Sequence, residues 1–195
     1  MKDRPNYSLA TNAAYEVLYE STTTFPVIDI FHILHSCKNI KLITYSEYAA
    51  TMHLSFKNFL DIAPSEHGFT IRSSHENSNF LVVYNERKSH STIRFTLAHE
   101  LGHIRLNHFC DDDISNKEAN CFARNTLCPI PIINEFNLAT ASDYSSCFNI
   151  SELMAKASIL HKDSDLYYIT NYNFSRINDK VYSYFTGNSI AELYS

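Results

Sequence analysis

Apolar side chains recur with the period of an α-helix in five stretches of the chain. Residues three and four apart share one face of a helix, so this spacing predicts helices that pack on a core. Pro26 suits the first turn of the second helix, since the N–H that proline lacks has no partner there. Ser89 or Ser91 can cap the third helix, and Ser151 the fifth. The predicted helices cover residues 11–20, 25–37, 89–108, 115–127 and 151–161.

Three short segments have the composition and alternation of β-strands, at residues 40–45, 68–73 and 80–84. Polar residues 75–79 join the last two segments, which predicts a hairpin. Residues 46–64 fit either a helix or a covering loop.

Two further segments lack a clear helical period. Residues 130–146 are predicted to be irregular, and residues 165–195 alternate Tyr and Ile with polar residues, which favours one or two strands. Together the elements predict an α+β fold, in which a small, mainly antiparallel β-sheet packs on helices. The length of 195 residues suits a single domain, with residues 163–195 as an extension of uncertain structure.

Composition excludes several classes of function. Hydrophobic residues make up 45% and charged residues 19%, which is typical of a globular domain. The net charge is −5 and no basic run occurs, so we expect no direct binding of nucleic acid. The N-terminus lacks the apolar region of a signal peptide, and no apolar stretch is long enough for a membrane span. The five cysteines are irregularly spaced, which favours reduced thiols in the cytoplasm.

The most informative motif is His-Glu-Leu-Gly-His at residues 99–103, within the third predicted helix. His99 and His103 are four residues apart and therefore lie on one face of the helix, where both imidazoles can bind one zinc ion. Glu100 lies beside them and can reach a water molecule bound to that ion. The pattern is that of zinc-dependent peptidases, although so short a motif also arises by chance.

A catalytic zinc ion needs a third protein ligand. Metzincins use a histidine six residues beyond the second one, but Phe109 occupies that position and Leu106 that of the intervening glycine. His108 is one residue short of the required spacing. Gluzincins instead use a glutamate on the next helix, and Glu118, fifteen residues beyond His103, is well placed for this role.

Spacing alone leaves other interpretations of this segment open. Residues 115–118 read Ser-Asn-Lys-Glu, which also fits a capping box in which Glu118 only fixes the start of a helix. Asp111, Asp112 and Asp113 are alternative ligands, but they are also typical of a solvated turn.

Several motifs in sequence order resemble those of the ImmA/IrrE family of metallo-endopeptidases. The main ones are RFTLAHELGH at residues 94–103, EANCFA at 118–123 and LCP at 127–129. The two longer motifs together are more specific than either alone. Weaker similarity extends the resemblance over about residues 25–162, through FPVIDI at 25–30, FLVVY at 80–84 and FNIS at 148–151.

This resemblance implies a minimal zincin-like fold with a zinc ion as cofactor. Carried over residue by residue, it makes His99, His103 and Glu118 the metal ligands and Glu100 the catalytic base. Two departures from the family pattern are Asn116, where many members have an acidic residue, and Cys128, which replaces an apolar one. The resemblance also implies a protein substrate, namely a helix-turn-helix repressor of a mobile element or of a stress response.

Some features of the mechanism stay open at this point. Candidate donors to the oxyanion are His161, Tyr167, Tyr168 and Tyr172, each of which also suits a packing role. The strand at residues 80–84 can align a substrate if it lies at a sheet edge. The main alternative function is a zinc-containing binding or sensor module, of anti-repressor or toxin type, that acts by contact without cleavage.

Overall fold

Helices and three short strands form the part of the chain that the computed structural model describes, residues 4–73, 80–110 and 112–187. The helix-rich architecture with one small sheet confirms the predicted α+β fold. In chain order the elements are α1 (Tyr7–Glu20), α2 (Ile30–Ser36), β1 (Ile40–Thr44), α3 (Tyr45–Thr51), α4 (Phe56–Leu60), β2 (Gly68–Arg72), β3 (Phe80–Tyr84), α5 (His90–Arg105), α6 (Asp113–Leu127), α7 (Ile130–Glu135), α8 (Ala141–Phe148), α9 (Glu152–Tyr168) and α10 (Asn171–Thr186).

The sheet is mixed, with strand order β1-β3-β2. β2 and β3 pair antiparallel, as the predicted hairpin requires, with Gly68 opposite Tyr84. β1 runs parallel to β3, with Ile40 opposite Phe80, so only one of the two pairings is antiparallel. The predicted polar turn at residues 75–79 lies outside the described residues. Because β3 is the central strand, it cannot align a substrate at an edge; the edge strands are β1 and β2.

Several predicted boundaries shift because the capping side chains differ from those expected. Asp29 caps α2 by accepting a hydrogen bond from the N–H of His32, so Pro26 precedes this helix and does not lie in its first turn. Ser89 and Ser151 cap α5 and α9, as predicted. Residues 46–64 contain most of α3 and all of α4, and α3 begins with a reciprocal capping box between Thr44 and Glu47.

The prediction was wrong in two segments. Residues 130–146 are not irregular, because they contain α7 and most of α8. The expected strands of residues 165–195 are replaced by the end of α9 and by α10, and residues 188–195 lie outside the described part. Asn173, Ile177 and Val181 are the buried residues of α10, and their spacing of four is helical. This helical period was not evident from the sequence, because Tyr and Ile alternate with polar residues there.

The core lies where α5 packs between the sheet, α1 and α6. Arg94 of α5 is almost completely buried, and burial lowers the pKa of its guanidinium group. It donates to the carbonyl oxygens of Ile28 at 2.9 Å and Phe148 at 2.7 Å. A buried cation with satisfied donors connects three distant parts of the chain and fixes α5 in the core.

Gly102 allows α5 and α6 to approach closely. A Cβ atom at this position would lie 3.2 Å from the Cα atom of Ala119 and 3.1 Å from a ring carbon of Phe122. The Cα atom of Ala119 belongs to the main chain, so it cannot move away by a side-chain rotation. The glycine of the His-Glu-Leu-Gly-His motif therefore has a packing role.

No helix within residues 4–73, 80–110 and 112–187 has both the length and the apolar content that crossing a membrane requires.

We expect Gly102→Ala to lower the free energy of unfolding by about 1–2 kcal/mol, because overpacking against α6 outweighs the higher helix propensity of alanine. Urea denaturation followed by far-UV circular dichroism measures this change. A variant as stable as the wild type, or more stable, would show that the helices have room for a methyl group and would contradict the packing role.

Candidate active site

The His-Glu-Leu-Gly-His motif lies in the second half of α5, next to a cleft. His99 and His103 are one helical turn apart, with ring centroids separated by 4.7 Å. Their Nε2 atoms are 2.9 Å apart. The helix therefore directs the same nitrogen of both rings at one point, as the spacing in the sequence predicts.

Asn120 of α6 fixes the orientation of the first imidazole. Its Oδ1 atom is 2.8 Å from Nδ1 of His99. An amide oxygen only accepts hydrogen bonds, so Nδ1 of His99 carries the proton and Nε2 presents its lone pair in the neutral ring. Metal-binding histidines are held in this way by a partner of their second nitrogen.

The histidine pair fits a metal ion. Two nitrogen ligands of a tetrahedral zinc ion lie about 3.3 Å apart, given Zn–N distances near 2.05 Å. The observed 2.9 Å between the Nε2 atoms of His99 and His103 differs from this by about 0.4 Å, which small side-chain rotations supply.

Glu118 of α6 is the most deeply buried acidic group of the site, with 1% of its side chain exposed. Its Oε1 atom accepts a hydrogen bond from the backbone N–H of Asn6 at 2.6 Å, and its Oε2 atom is 2.8 Å from Nε2 of His108. A buried carboxylate requires such partners. The N-terminal segment before α1 therefore also contributes to the site.

The capping-box interpretation of Glu118 is wrong. Asp112 caps α6 and accepts a hydrogen bond from the N–H of Ser115 at 2.7 Å, so Ser115 lies inside the helix. This backbone hydrogen bond is the main cause that lowers the pKa of Asp112 to about 2. Asp113 pairs with Lys117 at 2.6 Å. These local roles explain two of the three aspartates that were alternative ligands, and Asp111 lies outside the described residues.

His108 is the site residue that the sequence analysis did not identify. Its Nδ1 atom is 3.1 Å from Nδ1 of His103, and its Nε2 atom contacts Glu118. Only 4% of the side chain is exposed. The imidazole thus lies between two of the predicted metal ligands.

The predicted ligands are brought together, but not as a complete set. Within residues 4–73, 80–110 and 112–187, no group of three or more His, Cys, Asp or Glu side chains is arranged so that it could hold a metal ion. His99 and His103 converge, whereas Glu118 is linked to them through His108. The ligand roles of the three residues and the catalytic role of Glu100 therefore stay predictions.

Glu100, the residue that follows His99 in α5, contacts the sheet. The hydroxyl group of Thr70 in β2 donates to Oε2 of Glu100 at 2.8 Å, and 8% of Glu100 is exposed. Burial, and next the negative charge of Glu100, raise the pKa of the nearby Tyr45 hydroxyl, which donates to the carbonyl oxygen of Ser65 at 2.6 Å. The carboxylate is thus held by a hydroxyl group in a largely apolar setting.

Gly68 allows β2 to lie directly on α5. A Cβ atom at this position would be 2.6 Å from the methyl group of Thr96. Because β2 lies so close, its residue Thr70 reaches Glu100. β2 is also an edge strand, and it borders the cleft along its whole length.

The cleft has a volume of about 660 Å³ and is lined by both polar and apolar groups. The polar lining includes Glu100, His103, His108, Thr70 and Arg72. An apolar wall is formed by residues of α3, α4, the segment after α4 and β2, namely Tyr48, Phe59, Ile62 and Phe69. A cleft with few convergent polar groups on an apolar background is typical of a binding site.

The candidate donors to an oxyanion lie outside the cleft. His161, Tyr167, Tyr168 and Tyr172 belong to α9 and α10, and none of these four lines the cleft. Tyr167 is 84% exposed and Tyr172 is 68% exposed, while the ring of Tyr168 packs near that of Tyr7. The structure therefore gives these three tyrosines packing or surface positions, not positions in the cleft.

Comparison with known protein families identifies one match, which covers residues 50–173 and therefore β2, β3, α5 and α6. The matching family is the IrrE N-terminal-like domain, peptidase family M78. Comparisons with curated proteins and with solved structures found no match. The match covers more than half of the chain and includes both motif-bearing helices, so the chain belongs to the IrrE N-terminal-like peptidase family M78.

Proposed function

We propose that the protein is a zinc-dependent endopeptidase that hydrolyses a peptide bond in a regulatory protein of the cytoplasm. The observation that carries this proposal is the convergence of two Nε2 atoms, of His99 and His103, to 2.9 Å beside a buried glutamate in a cleft. Membership of a peptidase family supports the same reaction class.

The residues that would hold the zinc ion are His99, His103 and Glu118. When bound, such an ion lowers the pKa of a coordinated water towards about 7 and polarises the carbonyl group of the substrate. Asn120 keeps the ring of His99 in the tautomer that leaves Nε2 as the ligand atom.

Glu100 is the proposed general base. It takes a proton from the attacking water at a carboxylate oxygen and delivers that proton to the leaving amine. The hydroxyl group of Thr70 orients this carboxylate through its hydrogen bond to Oε2. A purely structural metal site does not require a buried carboxylate at the wall of a cleft. Glu100 therefore favours catalysis over a function that depends on binding alone.

An extended polypeptide is the substrate shape that suits the cleft. β2 is an edge strand with its main chain along the cleft, where a substrate segment can add as a further strand. The apolar wall around Phe59, Ile62 and Phe69 favours an apolar side chain near the scissile bond. The family resemblance directs the proposal towards a helix-turn-helix repressor.

We expect Glu100→Gln to retain one zinc ion per chain and to lose cleavage by a factor of about 10²–10⁴, because the amide cannot accept the proton. The substrate to test is any helix-turn-helix repressor encoded near the gene, incubated with purified enzyme and analysed by mass spectrometry. Glu135→Gln, an exposed position on α7, is the matched control and should cleave like the wild type.

Two results would contradict the proposal. Cleavage by the Glu100→Gln variant at the wild-type rate would remove this residue from the chemistry. A regulator that binds the wild-type protein and stays uncut in the presence of zinc would instead support a module that acts by contact. A chelator should abolish cleavage by the wild type.

A further inference from the structure

The turn after α5 places His108 against His103. Helix α5 ends at Arg105, and Asn107 adopts a left-handed conformation with φ of 54°. The N–H of Asn107 donates to the carbonyl oxygen of Ile104, and the N–H of His108 donates to that of His103. This pair of bonds is the Schellman motif. In this motif the side chains of the residues joined by the second bond, here His103 and His108, characteristically pack together.

This contact is frequently apolar, but here it joins two imidazoles. The ring centroids of His103 and His108 are 5.0 Å apart and the rings are nearly perpendicular, at 76°. The geometry brings Nδ1 of one ring to within 3.1 Å of Nδ1 of the other. The polar contact is thus built into the backbone conformation that ends the helix.

The hydrogen-bond directions follow from the carboxylate at the far end. An ionised Glu118 only accepts, so Nε2 of His108 donates to it at 2.8 Å. In the tautomer with its proton on Nε2, Nδ1 of His108 accepts, and Nδ1 of His103 donates to it. His103 is left with the lone pair on Nε2, the atom that faces His99.

Each histidine of the motif therefore has its Nδ1 atom held by one neighbour. Asn120 of α6 holds His99 at 2.8 Å, and His108 of the turn holds His103 at 3.1 Å. The two partners differ in one respect, since His108 also contacts Glu118, the third predicted ligand.

We propose that His108 is a positioning residue of the metal site, which orients His103 and Glu118 at the same time through its two ring nitrogens. The inference rests on the proposed zinc site and adds a residue to it. His108 is not a ligand in this arrangement, because its two ring nitrogens contact Nδ1 of His103 and Oε2 of Glu118.

The test compares three variants of the full chain. His108→Phe keeps an aromatic ring in the Schellman contact but removes both nitrogens, whereas His108→Gln keeps one donor and one acceptor. His90→Phe, an exposed position at the start of the same helix, is the matched control. Thermal unfolding of the metal-free proteins establishes that each variant is folded.

Competition with a chromophoric chelator measures the affinity for Zn²⁺. We expect His108→Phe to weaken binding about 10- to 100-fold, as loss of a partner of a metal-binding histidine does. His108→Gln should bind more tightly than His108→Phe, and His90→Phe should match the wild type. Equal affinity of the wild type and His108→Phe would overturn the inference.

Proton NMR of the Co²⁺-substituted proteins counts the bound imidazoles. We expect two shifted, exchangeable ring N–H signals in the wild type, from His99 and His103, and faster solvent exchange of one of them in His108→Phe. Three such signals in the wild type and two in the variant would make His108 a ligand and would overturn the positioning role. A wild-type protein that binds neither Zn²⁺ nor Co²⁺ would refute the proposed function itself, a result distinct from either of these.

Discussion

The close approach of α5 and α6 at Gly102 is the constraint on which the site depends. Absence of a side chain at this position lets the main chain of Ala119 come within contact distance of α5. Residues on both sides of Ala119 then face the histidines: Glu118 reaches the turn after α5, and Asn120 reaches His99. The glycine thus does no chemistry itself, but it sets the separation across which Glu118 contacts His108 and Asn120 contacts His99.

The polar groups of the site lie against an apolar core and are satisfied by partners from distant parts of the chain. Glu118 receives the backbone N–H of Asn6, and Glu100 receives the hydroxyl group of Thr70. Because burial of a carboxylate without partners is costly, these contacts stabilise the site and also restrict the positions of the carboxylates. Arg94, five residues before His99, donates to carbonyl oxygens near the start of α5. The helix that carries the motif is therefore held at both ends.

Much of this arrangement was predictable from the sequence where a local signal has a single physical meaning. The spacing of His99 and His103 defines one helical face, and Ser89 and Ser151 are strong caps; the structure has all of these as predicted. The hairpin of β2 and β3 also follows from local pattern, whereas the parallel strand β1 arises from a long connection that no local signal specifies.

The remaining features were not predictable, because the local sequence fits more than one structure equally well. Asp112 and Ser115 are both good caps, and only the start of α6 in three dimensions shows that Asp112 is used. The residues of α10 alternate in polarity over short windows, so its helical period emerges only from burial against α1. His108 could be found only by interpreting Leu-Asn-His after the motif as a Schellman turn, because asparagine is one of the few residues that readily adopt the left-handed conformation.

Anomalous diffraction at the zinc edge, from crystals of the zinc-loaded protein, tests most directly whether α5 and α6 hold one metal ion together. We expect a single peak about 2.0–2.1 Å from the Nε2 atoms of His99 and His103 and about 2.0–2.2 Å from an oxygen of Glu118. A zinc ion bound only by the histidines, with Glu118 more than about 4 Å away, or a zinc ion bound elsewhere, would contradict a site shared between the two helices.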